Sequence, residues 1–430
     1  MIRQFPTSFL NGNMPVVKSL PDCLIVVMLN QGYILHNTQT MKTNILILSP
    51  DRPIHSMGGL GVHINEVINR LDTEKYNVTA ICQGADDGMI KGVKVFGITP
   101  YNYRYGNVQD AFSETYLNQS KFVTLATKLL MQKEIPVPHI IHCCDWSTAP
   151  AAWSIAEITG AKIVFAVHLS INNYIKEKDV NKMQQLGWNV AKSIEFEACR
   201  RAFTVLQVSD NYSNLYPFSI YKHKTTIVPN GVDTTLFENT DPFLFPGTGK
   251  IKILYIGRIE YMKNVDSLME INVPEGCDLI FAGGKQGSSE YLINKLNEIC
   301  KRNNRIHYIG PIYDNDKYAA ICSADLVIMP SKHEPFGMVA LEACAAAQMG
   351  KTIFASSFKG GMGEFLTTDC AINCGVTKES IEDAINKFST MTEAKKNKMR
   401  KAAIKVAKRY SWQNTADIIS GVYEQLTNQK

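Results

Sequence analysis

The chain has 430 residues, 45% of them hydrophobic and 20% charged, with a net charge of +5. That is enough chain for two globular domains; the composition excludes a disordered or low-complexity protein, and the charge is too weak to argue for nucleic acid. No apolar run is long enough to span a membrane, and the eleven cysteines show no CxxC pair and no Cys/His metal spacing. Buried thiols in a reducing, cytoplasmic setting and the absence of a metal site are therefore expected.

Residues 1–40 read as an extension outside the fold. Leu24 to Leu29 is too short to cross a membrane and lacks a basic region before it, so Met41 is expected to be the functional start. From there short apolar strands alternate with helical runs, the pattern of an α/β protein with mostly parallel sheets. Strands are expected at 45–49, 78–82, 140–143, 163–167 and 204–208, with helices at 62–71, 113–133, 148–158 and 176–201. Asn239 to Gly249 is rich in Pro, Gly and polar residues and reads as a linker. Strands resume at 251–256, 278–281, 305–309, 325–329 and 352–355. Thr390 and Glu393 have capping-box spacing ahead of a basic helix through Arg409, and Ser411 can cap a last helix to Leu426. A solvated face is favoured for the basic helix over contact with an anionic membrane, because its apolar stripe is narrow. Two α/β units joined by one linker imply a cleft between them: a first domain over 41–240 completed by a C-terminal helix at 412–430, and a second over 241–411.

Ser331 to Ala343 follows a buried strand and runs through Pro335 and Gly337 into a helix, which puts Glu334 on a loop at a strand's carboxyl end. Gly337 and Met338 open that helix, whose N-terminus favours phosphate. Carboxylates beside such a site, Glu334 and Glu342, suit ribose or sugar hydroxyls, or else simply charge the helix start and its solvent face. Arg258 and Lys263 leave the first strand of the second unit on the same edge and can neutralise a diphosphate without metal. Gly58, Gly59 and Gly61 open the first helix and let the backbone approach a ligand, although GxGxxG is absent. His168 and Asp145 end strands and are expected to face the cleft, whereas His142 reads as structural. Tyr101, Tyr103 and Tyr105 suit an edge strand as well as a sugar platform.

Together these motifs resemble the GT-B retaining glycosyltransferases, in particular the large family-four group and the glycogen and starch synthases. The resemblance covers Asn44 onward and rests on Gly58-Gly59-Leu60-Gly61, His142 to Trp146, Val167-His168, Val228 to Asp233, Gly257-Arg258 with Lys263, Glu334 to Gly337 with Glu342-Ala343, and Tyr410-Ser411-Trp412. It implies a GT-B fold, two Rossmann-like domains facing each other across a cleft, and transfer of a hexose from ADP-glucose or UDP-glucose to an α-glucan. A lipid or surface-polysaccharide acceptor is the alternative; a sugar-nucleotide epimerase or a non-catalytic binding protein is a weaker one. By the resemblance, Arg258 and Lys263 hold the diphosphate with the Gly337 and Met338 amides. Glu342 takes the ribose, Glu334 the donor sugar, His168 positions the reacting sugar, and Gly284 borders the base. Gly58 and Gly59 approach the donor from the first domain, and Asp145 and Asn230 line the sugar or acceptor side. The departing phosphate oxygen helps deprotonate the acceptor. No cofactor or metal is required, and alanine at Lys263 or Glu334 is expected to abolish transfer with little effect on stability. Two positions depart from the pattern: Ser56 stands where glucan synthases carry lysine, and Gly350-Lys351-Thr352 lacks the usual proline.

Overall fold

Runs of Ile, Val and Leu too apolar to leave one face in water form the centre of two parallel sheets. The computed structural model describes residues 42–428, apart from 54–57, 85, 102–103, 106–107, 110, 175–181 and 285–289. The expected extension, Ser56, Met57 and Tyr103 lie outside the described residues. The first sheet uses β1 (Thr43–Ser49), β2 (Tyr76–Gln83), β3 (Gly88–Ile90) and β4 (Val93–Ile98). A two-residue hairpin, β5 (Arg104–Tyr105) with β6 (Val108–Gln109), stands apart. The sheet is completed by β7 (Ile140–Cys144), β8 (Lys162–Val167), β9 (Thr204–Gln207) and β10 (Thr225–Ile227). Its order is β10-β9-β8-β7-β1-β2-β4-β3, with only β3 antiparallel. Helices α1 (Gly59–Arg70), α2 (Ala111–Met131), α3 (Ala149–Thr159), α4 (Lys182–Arg201) and the single turn α5 (Asp210–Ser213) connect the strands. In α1 the buried Gly61, Ile64 and Ile68 recur at three- and four-residue spacing, which lays one stripe on the sheet.

The second sheet uses β11 (Ile251–Ile256), β12 (Cys277–Ala282), β13 (Ile306–Tyr308), β14 (Leu326–Met329), β15 (Ile353–Ser356) and β16 (Ile372–Asn373). They pair in the order β13-β12-β11-β14-β15-β16, all parallel. Around it pack α6 (Val265–Met269), α7 (Glu290–Arg302), α8 (Asp314–Ser323), α9 (Met338–Ala346), α10 (Lys378–Ser389) and α11 (Glu393–Arg409). The last helix, α12 (Trp412–Asn428), returns to the first domain, where Ile419, Val422, Tyr423 and Leu426 join the core beneath α1. Ser411 Oγ accepts from the Asn414 amide at its start. The return passes close to the first crossing: Val232 N donates to Tyr410 O at 2.8 Å and Thr415 Oγ1 to Pro229 O at 2.7 Å.

Three expectations need correction. The stretch expected as a linker packs on the second domain: Phe243 and Phe245 lie against its core, Phe243 N donates to Ser323 Oγ, and Gly249 N donates to Asp278 Oδ2 at 2.8 Å. The N-cap of α11 is Thr392, accepting from Lys395 N, while Thr390 ends α10. A side-chain oxygen one position before the helix competes better than one outside the turn. The basic run is also not uniform: Arg400 is buried, pairing with Glu393 and the Lys351 carbonyl, and Met399, Ala403, Val406 and Ala407 pack inward. No helix among the described residues is long and apolar enough to cross a membrane.

Candidate active site

Open parallel sheets bind ligands outside the carboxyl ends of the strands, where strand order reverses. In the second sheet that point lies between β11 and β14; in the first it lies between β1 and β7. Gly257-Arg258 and the Glu334 loop leave the first pair of strands, while Pro50-Asp51 and Asp145-Trp146 leave the second. The expected residues therefore cluster at both reversal points.

On the second domain the loops are built by close backbone contact. Gly283 has φ +158°, and a Cβ there would lie 1.8 Å from Gly257 O, so only glycine lets the two strand ends stack. Gly284 O accepts from Ile259 N at 3.0 Å, which fixes the loop carrying Arg258. Tyr255 OH donates to Arg258 O at 2.6 Å, and the Arg258 guanidinium pairs with Glu260 at 3.0 Å. Lys263 ends a single helical turn, and its ammonium donates to Glu334 Oε2 at 2.5 Å, with both side chains about nine-tenths buried. Gly337 (φ +100°) starts α9 without a side-chain cap, leaving first-turn amides at the edge where Arg258 and Lys263 stand. The Glu334 loop is itself clamped, since Gly361 N donates to Glu334 O at 2.8 Å. Glu342 accepts from Lys317, and its second oxygen, Oε2, is buried with no hydrogen-bond partner. An unpaired buried carboxylate oxygen is costly, and a sugar hydroxyl would relieve it.

On the first domain, a Cβ at Gly59 would meet Met338 Sδ at 3.2 Å, so the glycine turn faces the start of α9 directly. Gly58 has a different reason to be glycine: Asp51 Oδ2 lies 2.6 Å from its missing Cβ. Asp51 is held above the usual carboxylate range by burial, partly offset by Arg258 from the other domain and by the Gly61 amide. Asp145 stands in the left-handed region at φ 56°, and its Oδ1 accepts from the His168 and Leu169 amides at 2.7 and 3.1 Å. Burial raises its pKa to about 7 against those hydrogen bonds. The His168 ring does not face the cleft as expected. Its Nε2 is buried without a partner beside a small cavity of about 10 Å³ shared with Gln207, and the ring packs edge-on to His63 at 4.4 Å. Apolar β8 and β9 side chains around it favour a neutral ring turned inward, and burial keeps its pKa well below the usual value. His63 donates to Asn230 Oδ1 at 2.7 Å, and burial lowers its pKa to about 4. Asn230 thus braces a histidine that braces His168, rather than lining open space. His142 donates to or accepts from Tyr423 OH at 2.7 Å inside the core. Tyr101 lies under the Lys121 ammonium.

Asp51, His63, Lys317 and the Gly360-Gly361 pair were missed by sequence reading. His63 lies four residues past Gly59 on the same helix face, and Asp51 two residues past β1, so helical spacing and position after a strand could have found both. Among the described residues no group of three or more His, Cys, Asp or Glu side chains is arranged to hold a metal.

The Glycosyltransferase Family 4 profile matches residues 57–236, and the profile for glycosyl transferases group 1 matches 237–407. The chain is a GT-B glycosyltransferase of the family-four-like group. Among its relatives is a glycogen synthase of Mycobacterium tuberculosis, 24% identical over 412 residues, spanning 88% of this chain and 94% of the relative. The sucrose-phosphate synthase of Thermosynechococcus elongatus shares the glycosyltransferase's fold with a TM-score of 0.75 at 17% identity, over 90% of this chain and all of that one. The catalytic domain of starch synthase IV from Arabidopsis thaliana, solved with ADP and acarbose, has a TM-score of 0.62 at 17% identity, over 90% and 100% of the two chains.

Proposed function

We propose that this glycosyltransferase moves glucose from a nucleoside-diphosphate sugar, ADP-glucose or UDP-glucose, to the end of an α-glucan with retention of configuration. The observation that carries the reading is the convergence of Arg258, Lys263 and the uncapped start of α9 on one edge, opposite Gly59. Two cations and a helix N-terminus suit a diphosphate that gains charge as it departs. Glu342, with its spare oxygen, suits the ribose; Glu334 suits donor-sugar hydroxyls once Lys263 turns to phosphate. Gly284 would border the base, and His168 would reach the sugar by turning out from His63 or present its backbone to it. Asp145 and Asn230 act by holding His168 and His63. The relative named as a glycogen synthase and the neighbour solved with ADP and acarbose support a glucan acceptor. Scattered buried thiols suit a cytoplasmic setting.

The test is a donor screen with ADP-glucose, UDP-glucose, UDP-N-acetylglucosamine and GDP-mannose, glycogen as acceptor, and EDTA throughout. Glucosyl transfer from ADP-glucose or UDP-glucose is expected. No turnover with any donor overturns the reading, and strict metal dependence overturns its metal-free diphosphate site.

A further inference from the structure

Helix α8 leaves the carboxyl edge of the second sheet beside the loop that carries Gly284. Gly283 N donates to Gly310 O at 2.8 Å, and a Cβ on Gly284 would lie 3.7 Å from the Pro311 side chain. One turn into the helix, Lys317 turns its ammonium to Glu342 of α9 and donates to Oε1. Glu342 is buried and Lys317 partly so, and Glu342 Oε2 has no hydrogen-bond partner among the described residues. Burial, and after it the carboxylates of Glu342, Glu66, Asp314 and Asp233, push the neighbouring Tyr318 hydroxyl up to about 12, so Lys317 stands on a rim rich in carboxylates.

An ion pair that only braced α8 against α9 has no need of a buried, unpaired oxygen. The two helices already share a core through Ala320, Ile321, Leu341 and Cys344, and Tyr318 packs edge-on to Phe237 at 5.0 Å. A buried carboxylate oxygen without a donor costs stability, whereas a brace could leave both oxygens satisfied. What the pair does offer is complementary chemistry. Oε2 can only accept; the ammonium can only donate, and it gives one of its three hydrogens to Oε1. A vicinal diol suits both, since each hydroxyl can donate one bond and accept another.

We propose that Lys317 is a second contact for the donor's ribose and that, with Glu342, it reads both hydroxyls of the diol: one donates to Glu342 Oε2 and the other accepts from Lys317 Nζ. The pair thereby selects ribonucleotide donors over deoxyribonucleotide ones. The inference rests on the donor reading above and goes beyond it in naming Lys317 as a specificity residue. Because Lys317 already occupies Oε1, the carboxylate alone has one uncommitted oxygen for two hydroxyls. Losing either hydroxyl leaves a charged group desolvated and short of a partner, which costs about tenfold or more in affinity.

The test is calorimetry on the full chain with ADP, UDP and GDP, and with the 2′-deoxy and 3′-deoxy forms of each nucleotide that binds. The wild type is expected to bind at least one ribonucleotide and to lose about tenfold or more when either hydroxyl is removed. Lys317→Met should abolish the discrimination at one hydroxyl and Glu342→Leu at the other, while Lys317→Arg should keep both. Since Lys317→Met leaves the buried Glu342 without its cation and could misfold, the double variant Lys317→Met/Glu342→Leu is measured beside it and should bind ribo- and deoxyribonucleotides alike. Equal wild-type binding of the ribonucleotide and of its 2′-deoxy or 3′-deoxy form overturns the proposal and leaves the donor reading standing. So does a Lys317→Met variant that weakens ribo- and deoxyribonucleotides by the same factor, the signature of a brace. If no nucleoside diphosphate binds, the donor reading falls and this inference with it.

Discussion

The Lys263–Glu334 pair changes what alanine at either position reports. Sequence reasoning treats both as ligand-facing, so that removing one spares the fold. In the structure each neutralises the other inside the protein, and deleting one strands a buried charge. Lys263→Ala is therefore expected to abolish transfer and also to cost about 3 kcal/mol of stability, read by chemical denaturation. Adding Glu334→Gln should recover much of the stability and none of the activity. If Lys263→Ala unfolds at the wild-type denaturant concentration, the pair is not formed in the free protein. Asp145 offers a second test. Its folded pKa of about 7 exceeds the ordinary 3.8, so its stabilising contribution is complete below 3.8 and is lost as pH rises to about 7. Asp145→Asn keeps the acceptor for the His168 and Leu169 amides without the charge. The variant should gain on the wild type by about 1.4 kcal/mol per pH unit across that window, followed as melting temperature from pH 4 to 8. A constant difference would mean that the carboxyl does not titrate there. Glu334, Lys263 and Arg258 were legible because charged residues just after apolar strands are conspicuous. His63 was not, and Asn230 was named only for the sugar or acceptor side, since their partnership joins residues 167 positions apart and no local pattern encodes it.

At the level of elements, the part that sequence reading passed over is the segment after β15. Its short turn at Gly360–Glu364 touches both domains. Gly360 and Gly361 press on the Glu334 loop so closely that a Cβ would lie 2.1 Å from Glu334 O or 2.3 Å from Pro335 O. The Glu364 carboxylate accepts from the Asp210 and Asn211 amides at 3.2 and 2.6 Å, at the start of α5. Tyr212 of α5 meets His333 at 3.3 Å beside Glu334. Domain contact and the Glu334 loop thus share one short turn. Glu364→Ala should raise amide exchange at 333–337 and raise the donor KM, with a stability loss of about 1–2 kcal/mol. Unchanged exchange in that loop would separate the two. The glycine pair was visible as residues, but its meaning needs the distance to another loop, which no local pattern encodes. The strands missed, β3, β4, β10, β16 and the β5–β6 hairpin, are short or lie at or next to a sheet edge, where pairing rather than hydrophobicity defines them.

For the molecule as a whole, the alternation of strand and helix sufficed for the class, and the motif order for the GT-B fold. The expected return of the C-terminal helix to the first domain is also what the structure has; what no local pattern encodes is that the two passages between the domains lie side by side. The chain passes out of the first domain near Gly231 and back into it at Trp412, and a Cβ on Gly231 would lie 2.3 Å from Trp412 N. The two passages are hydrogen-bonded side by side. Two short segments tied together in this way would form a pivot that bends more easily than it twists. If the two domains part, the sheet edges carrying Asp51 and Arg258 would be held to a single arc, which would return Gly59 to Met338 on closing.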